Sequence, residues 1–501
     1  MRTEPVSERL RSVAPERADA GGAAEAILGE LGALVGGRTV LSGDAIEVRS
    51  PYDASLVAVV HRAGPEEIEE AIARAAQAFE ETRRLPSWQR AEVLERISAA
   101  LAERREELAR TIALEAGKPI TIARVEVDRA AFTFKIAAEE TKRIYGEIVP
   151  LDWIPGTEGR TAHVRRVPLG PIAGITPFNF PLNLVVHKVA PALAAGNPIV
   201  VRPASQTPVS ALRLGEIVVE AGWPAGGIAV VPSATDVAAP LVEDDRIKLL
   251  TFTGSPAVGW SLKDRAGRKR VTLELGGNAG VIVNADADVG FAAERVAWGG
   301  FVYSGQTCIS VQRVYVHADV HEAFLAELLP HVGALRTGDP LAEDTDVGPV
   351  IDRGASARVG EWVDEALAGG ASALAGGTHD GGLWAPTVLT GVAETMRVSC
   401  QEAFAPLVVV SPFDDVGEAI AAVDRSEFGL QAGIFTRDLP TIQRAFDEIE
   451  VGGLVVNDVP TFRIDHMPYG GVKQSGFGRE GVRYAMEEMT ELKLLALNDR
   501  D

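Results

Sequence analysis

Cys308 stands in FVYSGQTCISVQR, residues 301 to 313, and is one of two cysteines in a chain of 501 residues. A structural cysteine usually packs among large apolar side chains and acts as a small hydrophobe. Cys308 instead follows a Ser-Gly-Gln-Thr run, which reads as a loop or a helix start. A thiol in that setting can act as a thiolate nucleophile, and an unreactive thiol in a polar loop is the competing reading. Cys400 has no polar activating neighbours and reads as a buried structural thiol.

Four further stretches carry side chains with chemical capacity. In ITPFNFPLN, residues 175 to 183, Asn179 follows a strand and is flanked by Phe178, Phe180 and two prolines. It is either a turn former in a rigid loop or an amide donor aimed at developing negative charge. In VTLELGGNAG, residues 271 to 280, Glu274 lies in an apolar strand before two glycines. A carboxylate there is costly unless it is paired or its pKa is raised, which makes it a candidate general base. The alternative is a side chain leaning out to solvent. LTFTGSPAVG, residues 250 to 259, is a strand, a glycine turn and a helix start. Backbone N–H groups at such a start favour a phosphate. Gly254 and Gly259 do not complete a GxGxxG pattern, so a plain strand–helix turn fits equally. In QEAFAPL, residues 401 to 407, Glu402 and Phe404 precede another strand.

These stretches sit in a legible order of elements. Residues 65 to 116 have helical spacing, and Gly117 with Pro119 reads as a helix stop. From residue 167 short apolar runs alternate with amphipathic stretches: PIAGIT, PIVVRP, IAVVP, IKLLTFTG and VTLEL as strands, with helices at LNLVVHKVAPALAA, PVSALRLGEIVVEAG and SPAVGWSLKDRAG. Such alternation predicts a parallel sheet covered on both faces, with ligands at the carboxyl ends of its strands. A second α/β block spans about residues 280 to 465, with strands at RVYVHAD, APLVVVSPF and GGLVVND. A cleft is expected between the blocks. The first ~38 residues read as a weakly ordered arm or a short surface helix, and EEMTELKLLAL as an added edge strand.

Composition narrows the classes. A net charge of −21 argues against a nucleic-acid surface, because phosphate binding needs a positive field. Two cysteines rule out a disulfide framework and fit a reducing compartment. The N-terminal residues carry no apolar signal-type run, and no stretch of ~18 apolar residues suggests a membrane span. The expectation is a cytoplasmic protein that works on neither nucleic acid nor membrane.

Taken together, PFNFP, VRPAS, FTGSPAVG, LELGGN, GQTC, EAFAP and MPYGGVKQSGFGRE make the chain from about residue 45 onward resemble the aldehyde dehydrogenase superfamily. It looks most like the lactaldehyde- and phosphonoacetaldehyde-type members. The resemblance implies an α/β fold of two doubly wound parallel-sheet domains with a small β oligomerisation element. The Rossmann-like cofactor domain would take residues 41–140 and 166–274, and the catalytic domain residues 275–470. Residues 141–165 and 487–501 would supply oligomerisation strands, and residues 1–40 an arm. Cys308 would be the nucleophile, with Asn179 and the Cys308 N–H as the oxyanion hole. Glu274 would activate the hydrolytic water and Lys188 would assist proton transfer. The cofactor would be NAD or NADP, held by Pro177, Phe178, Arg202, Ser205, Gly254, Ser255, Leu275, Glu402 and Phe404. Arg124, Arg463 and His466 would lie near the substrate mouth; a solvated charged face is the competing reading for them. The reaction would be oxidation of a small aldehyde to its carboxylate through a cysteine thiohemiacetal and thioester. The substrate would be an aldehyde carrying a carboxylate, phosphonate or sulfonate if the three charged side chains line a pocket, and the assembly would be a homodimer or homotetramer.

Some positions depart from the family pattern. Phe178 stands where Trp is frequent, Arg202 and Asn278 where Lys is common, and Ala405 where Gly is usual. None removes a catalytic group, but Arg202 with Ser205 leaves NAD and NADP both open. A CoA-acylating enzyme and a non-catalytic protein of the same fold are the alternatives. The retained Glu274 argues against the first, and intact Cys308, Asn179 and Glu274 argue against the second.

Overall fold

The computed structural model describes residues 26–499. Its largest sheet has eight strands. In spatial order they are Gly476–Phe477, Arg270–Glu274, Leu249–Thr253, Ile172–Ile175, Ile199–Arg202, Ile228–Val230, Ala33–Val35 and Arg38–Val40. The central strands are parallel. The outermost pairings at both ends are antiparallel. Side chains alternate across this sheet. Ile172, Ile199 and Val201 join the core under the helices from Ser87 onward, and Ala173, Val200 and Leu250 join the core under helix Pro65–Thr82. Each such buried Val, Leu or Ile side chain stabilises by roughly 1.5–3 kcal/mol relative to exposure.

A seven-stranded sheet forms the second block, in the order Ser372–Ala375, Thr387–Thr390, Leu407–Phe413, Val311–His317, Ala279–Val283, Gln431–Phe435, Gly453–Val456. Only the Ser372–Ala375 pairing is antiparallel in it. The C-terminal strand Thr490–Asn498 pairs along its length with Arg160–Pro168, which pairs with Glu147–Pro150, as a separate three-stranded sheet.

Two local outcomes differ from the sequence expectation. The arm expected over residues 1–40 falls partly outside the described residues. From Glu30 to Val40 it instead contributes three strands, two of which, Ala33–Val35 and Arg38–Val40, extend the large sheet. Its alternation of small and branched apolar residues (Ala33, Leu34, Val35, all buried) outweighs the polar composition around it. The helix stop at Gly117 is present, with φ 66°. A further helix, Ile120–Thr141, then follows with Pro119 at its N-cap. No described helix is long and apolar enough to cross a membrane.

Candidate active site

In the large sheet, strands Ile172–Ile175 and Leu249–Thr253 are neighbours although other strands lie between them in sequence. Strand order reverses at that point, which opens a crevice at the carboxyl ends. The PFNFP loop leaves the first of these strands and Gly254–Ser255 leaves the second. Glu274 ends the adjoining strand.

Cys308 enters from the other block. Helix Val289–Phe301 leads into a turn in which Tyr303, Ser304 and Gly305 have φ of 49°, 56° and 66°. A Cβ on Gly305 would lie 2.0 Å from the carbonyl oxygen of Ala405, so only glycine fits there. Side chains hold this unfavourable turn. Ser304 Oγ donates to the Gly348 carbonyl at 2.7 Å, and Gln306 Oε1 accepts from the Ile351 N–H at 2.9 Å. The half-buried Cys308 sulfur is 3.1 Å from the Tyr469 hydroxyl. Burial pushes its thiol up to about 11, against the Tyr469 hydrogen bond and the Arg463 charge. Asn179 Nδ2 donates to the Gln306 carbonyl at 3.0 Å, which ties the PFNFP loop to the cysteine loop.

The two side chains read as candidate acid–base groups are housed differently. Both Glu274 carboxyl oxygens are buried with no hydrogen-bond partner among the described residues. Burial, then Glu480, hold its carboxyl well above the usual range, with Arg463 and Lys188 opposing. Lys188 is buried and donates to Thr251 Oγ1 at 3.1 Å, Thr253 Oγ1 at 2.7 Å and Glu480 Oε1 at 3.2 Å. Glu480 also binds Arg463 at 3.0 Å and His187 at 3.2 Å. Asp465 joins the same network, 2.8 Å from His187 Nε2 and 2.6 Å from Arg129. Despite burial, Lys188, His187 and Arg463 hold the Glu480 carboxyl far below its usual range.

A cavity of about 100 Å³ is lined among others by Asn179, His187, Cys308, Arg463, Tyr469 and Arg129. The Arg463 guanidinium lies 3.5 Å over the Tyr469 ring, and its Nε has no partner. Of the three residues expected at the substrate mouth, Arg463 alone lines this cavity. Arg124 is held outside by two carboxylates, Glu343 at 2.7 Å and Glu106 at 2.9 Å. His466 is exposed and meets Phe132 edge-on. Cys400, expected to be buried, is half-buried at the end of the short helix Arg397–Cys400, its sulfur 3.5 Å from the Thr395 carbonyl.

The residues expected at the cofactor lie on the PFNFP loop, at or just after the ends of strands Ile199–Arg202, Leu249–Thr253 and Arg270–Glu274, and on the loop before strand Leu407–Phe413. Glu402 Oε1 accepts the Gly277 N–H at 2.9 Å, and burial pushes its carboxyl up to about 7. A Cβ on Gly276 would meet Glu402 Oε2 at 2.5 Å, and one on Gly277 would meet the Cys308 carbonyl at 2.1 Å. The Leu275–Asn278 turn therefore binds the Glu402 loop and the cysteine loop together. Phe404, with φ 51°, packs edge-on against Phe178, which follows Pro177. Ser255 stands at the N-cap of helix Pro256–Arg265 without a side-chain capping hydrogen bond, a helix start of the kind that favours a phosphate. Arg202 ends its strand, donates to the Ser233 carbonyl at 3.0 Å and Thr235 Oγ1 at 3.2 Å, and keeps a buried unpartnered Nε. Ser205 is exposed nearby in sequence. The phosphate-ready helix start, the carboxylate and the orphaned guanidinium nitrogen fit a nicotinamide dinucleotide.

Sequence reasoning passed over His187, Arg129, Asp465, Tyr469 and Glu480. One signal was available: His187 and Lys188 sit in a helix otherwise apolar on every side, so both must be buried and need partners.

Comparison with known proteins agrees with this arrangement. Residues 40–495 match the aldehyde dehydrogenase family. The chain is 45% identical over 470 residues to 3-sulfolactaldehyde dehydrogenase of Priestia megaterium, covering 94% of this chain and 98% of that one. The crystal structure of aldehyde dehydrogenase 21 from Physcomitrella patens, in complex with the reaction product succinate, superposes with a TM-score of 0.92 at 41% identity, over 94% of this chain and 98% of that one. Glyceraldehyde-3-phosphate dehydrogenase from Methanocaldococcus jannaschii, complexed with NADP, gives 0.88 at 38% identity, over 92% and 100%. Matched along nearly its whole length, with a cysteine loop, an amide and an unpaired buried carboxyl at the strand ends, this protein belongs to the aldehyde dehydrogenase family as an NAD(P)-linked enzyme.

Proposed function

We propose that this enzyme oxidises a short aldehyde carrying an anionic group, with Cys308 as nucleophile and Arg463 as anion anchor. The observation that carries the reading is the shared cavity: Cys308, Asn179 and Arg463 line one space of about 100 Å³. That volume is small beside the ~300 Å³ or more typical of ligand pockets, so only a short chain fits. The Arg463 guanidinium, already fixed by Glu480 and Tyr469, keeps its Nε without a partner. A carboxylate, sulfonate or phosphonate would supply one, and Arg suits such oxyanions through its planar fork.

In this mechanism the Cys308 thiolate adds to the aldehyde carbon. The resulting oxyanion takes hydrogen bonds from the second N–H of the Asn179 amide and from the Cys308 backbone N–H. A donor of this kind is often worth ~3 kcal/mol. A bound dinucleotide supplies the hydride acceptor. Loss of hydride from the thiohemiacetal leaves a thioester on sulfur. Glu274, whose carboxyl burial holds well above its usual range, then takes a proton from water. The hydroxide adds, the carboxylate product departs, and the thiolate returns. Lys188 holds the Glu480 network in place beside Glu274 and assists the movement of protons there.

The three-stranded sheet supports a homodimer or homotetramer. Strand Thr490–Asn498 is paired on one edge only and exposes Leu492, Leu494 and Leu495 at 57–58%. Light scattering at micromolar concentration should give a homo-oligomer, and a monodisperse monomer would contradict it.

The substrate reading is tested with propanal and with sulfonate- and carboxylate-bearing aldehydes of similar size. The anionic aldehydes should show at least about tenfold higher kcat/KM, corresponding to one charged hydrogen bond of ~1.5–3 kcal/mol. Equal efficiency would defeat it.

A further inference from the structure

Lys118 and Glu126 form an ion pair with no exposed side-chain surface, next to the site but outside the chemistry described above. Lys118 follows the Gly117 helix stop, and Glu126 lies on helix Ile120–Thr141. The Lys118 ammonium sits 3.7 Å from the Phe180 ring centroid and 4.2 Å from that of Tyr303. The two rings meet edge-on at 6.0 Å. Phe180 adjoins Asn179, and Tyr303 begins the left-handed turn that leads to Cys308. Glu126 Oε1 meanwhile accepts the Leu182 and Asn183 N–H groups, each at 3.0 Å, at the start of the helix that follows the PFNFP loop.

One cation therefore touches both arms of the proposed oxyanion hole, and its counter-ion fixes the backbone beyond one of them. An apolar side chain could fill the same space. Only a cation is drawn to two ring faces at once while pairing with the carboxylate, and desolvation strengthens that attraction. The turn it braces needs the support. Tyr303 and Ser304 hold a backbone conformation that non-glycine residues rarely adopt. The Tyr303 hydroxyl adds a second tether, donating to the Ala116 carbonyl at 3.2 Å.

We propose that Lys118 is a positioning residue, which clamps Phe180 to Tyr303 and so keeps Asn179 and Cys308 aimed at a common oxyanion. The inference rests on the roles proposed above for those two residues. It also carries a pH signature. Burial pushes the Lys118 ammonium down to about 8, against the pull of Glu126 and with a smaller contribution from Arg129. The charged and titratable groups around it are Glu126 and Arg129 on helix Ile120–Thr141 and Tyr303 on the cysteine loop. Above about pH 8 the clamp loses its charge.

The test is the double variant Lys118→Met with Glu126→Gln, which removes both charges together and leaves an amide oxygen for the Leu182 and Asn183 N–H groups. Single-turnover reduction of the dinucleotide then separates aim from folding. The burst amplitude, which counts folded sites, should stay near wild type, with KM little changed. The burst rate constant should fall about tenfold or more. The wild-type-to-variant ratio should shrink toward one as pH rises through about 8. An unchanged rate constant, or a loss confined to amplitude, overturns the proposal. If the double variant does not fold, Phe180→Leu keeps the ion pair and removes one ring face. A severalfold lower burst rate constant is expected there, and a wild-type value overturns the clamp. A burst that survives in Cys308→Ala would refute the nucleophile assignment instead, so the two failures are distinguishable.

Discussion

Glu274 and Glu480 are buried carboxylates in one cleft, close enough for the charge of each to act on the other. Their surroundings are opposite. Glu480 accepts from Lys188, His187 and Arg463, and its proton affinity is driven far down. Glu274 has no partner for either oxygen among the described residues, and its proton affinity is driven well up. A buried carboxylate that is fully paired stays charged and orders its neighbours; one left bare can exchange a proton near neutral pH. The cleft is divided accordingly. The side toward Lys188, His187 and Asp465 is a paired scaffold. The side toward Cys308 and Glu274 is left unsatisfied, which costs stability and retains reactivity.

The largest break in this picture should come from the reactive side. Cys308→Ala should lower aldehyde oxidation by about 10⁴-fold or more while the fold survives, since the chain's other thiol, Cys400, does not line the cavity. Cys400→Ala, at a half-buried surface helix end, should leave steady-state rates near wild type. Substantial activity in the Cys308 variant would end the assignment.

The two glutamates should then separate cleanly. Glu274→Gln should cost about 10²–10⁴ in turnover yet leave a pre-steady-state burst of reduced dinucleotide, because hydrolysis needs the base more than hydride transfer does. If burst and turnover vanish together, thiolate activation is its main role. Glu480→Gln should instead act on stability, by about 3 kcal/mol or more, because Lys188 and Arg463 lose their buried counter-charge. The pH signs differ as well. Glu480 binds its proton less tightly folded than unfolded, so its stabilisation is complete above about pH 4.5 and is lost in acid. Glu274 binds its proton more tightly folded, so its cost grows as pH rises above about 4.5. Thermal unfolding at neutral pH should therefore show Glu274→Gln more stable than wild type by about 1 kcal/mol and Glu480→Gln less stable. The same direction in both variants would dissolve the contrast.

Arg463 bridges the two sides, and its replacement should alter selectivity more than chemistry. Arg463→Gln is expected to lower kcat/KM for an anionic aldehyde about 10–100-fold beyond any loss for propanal. Equal losses for both substrates would make Arg463 part of the scaffold alone.

The reactive side was more legible in the sequence than the paired side, for a physical reason. Cys308, Asn179 and Glu274 each break a local rule: a thiol in a polar loop, an amide at a strand end, a carboxylate in an apolar strand. Strand bounds were nearly as local: VTLEL, residues 271 to 275, falls within one residue at each end of the observed Arg270–Glu274. Pairing is not local. His187 finds Asp465 and Glu480 at separations of 278 and 293 residues. Arg124 was expected at the substrate mouth, but Arg129 on the same helix lines the cavity. Five residues turn a helix face by about 140°, and only the helix orientation decides which arginine points inward.

The smallest effect concerns the dinucleotide and sharpens the contrast at its outer edge, where charge meets solvent. Arg202 is anchored by Ser233 and Thr235 and keeps a buried unpartnered Nε, while Ser205 is exposed and uncharged. No carboxylate at residue 205 repels a 2′-phosphate, and Arg202 offers a permanent cation. Both NAD and NADP should therefore be used. Ser205→Glu should weaken NADP use at least about tenfold, or ~1.4 kcal/mol, through like-charge repulsion, and should change NAD use less. Because residue 205 is exposed, the discrimination should shrink as salt rises, unlike the effects of the buried glutamates. Steady-state kinetics with both dinucleotides on both proteins, at low and high ionic strength, decides the matter. An NADP-to-NAD ratio unchanged by Ser205→Glu would mean that residue 205 faces away from the 2′ position.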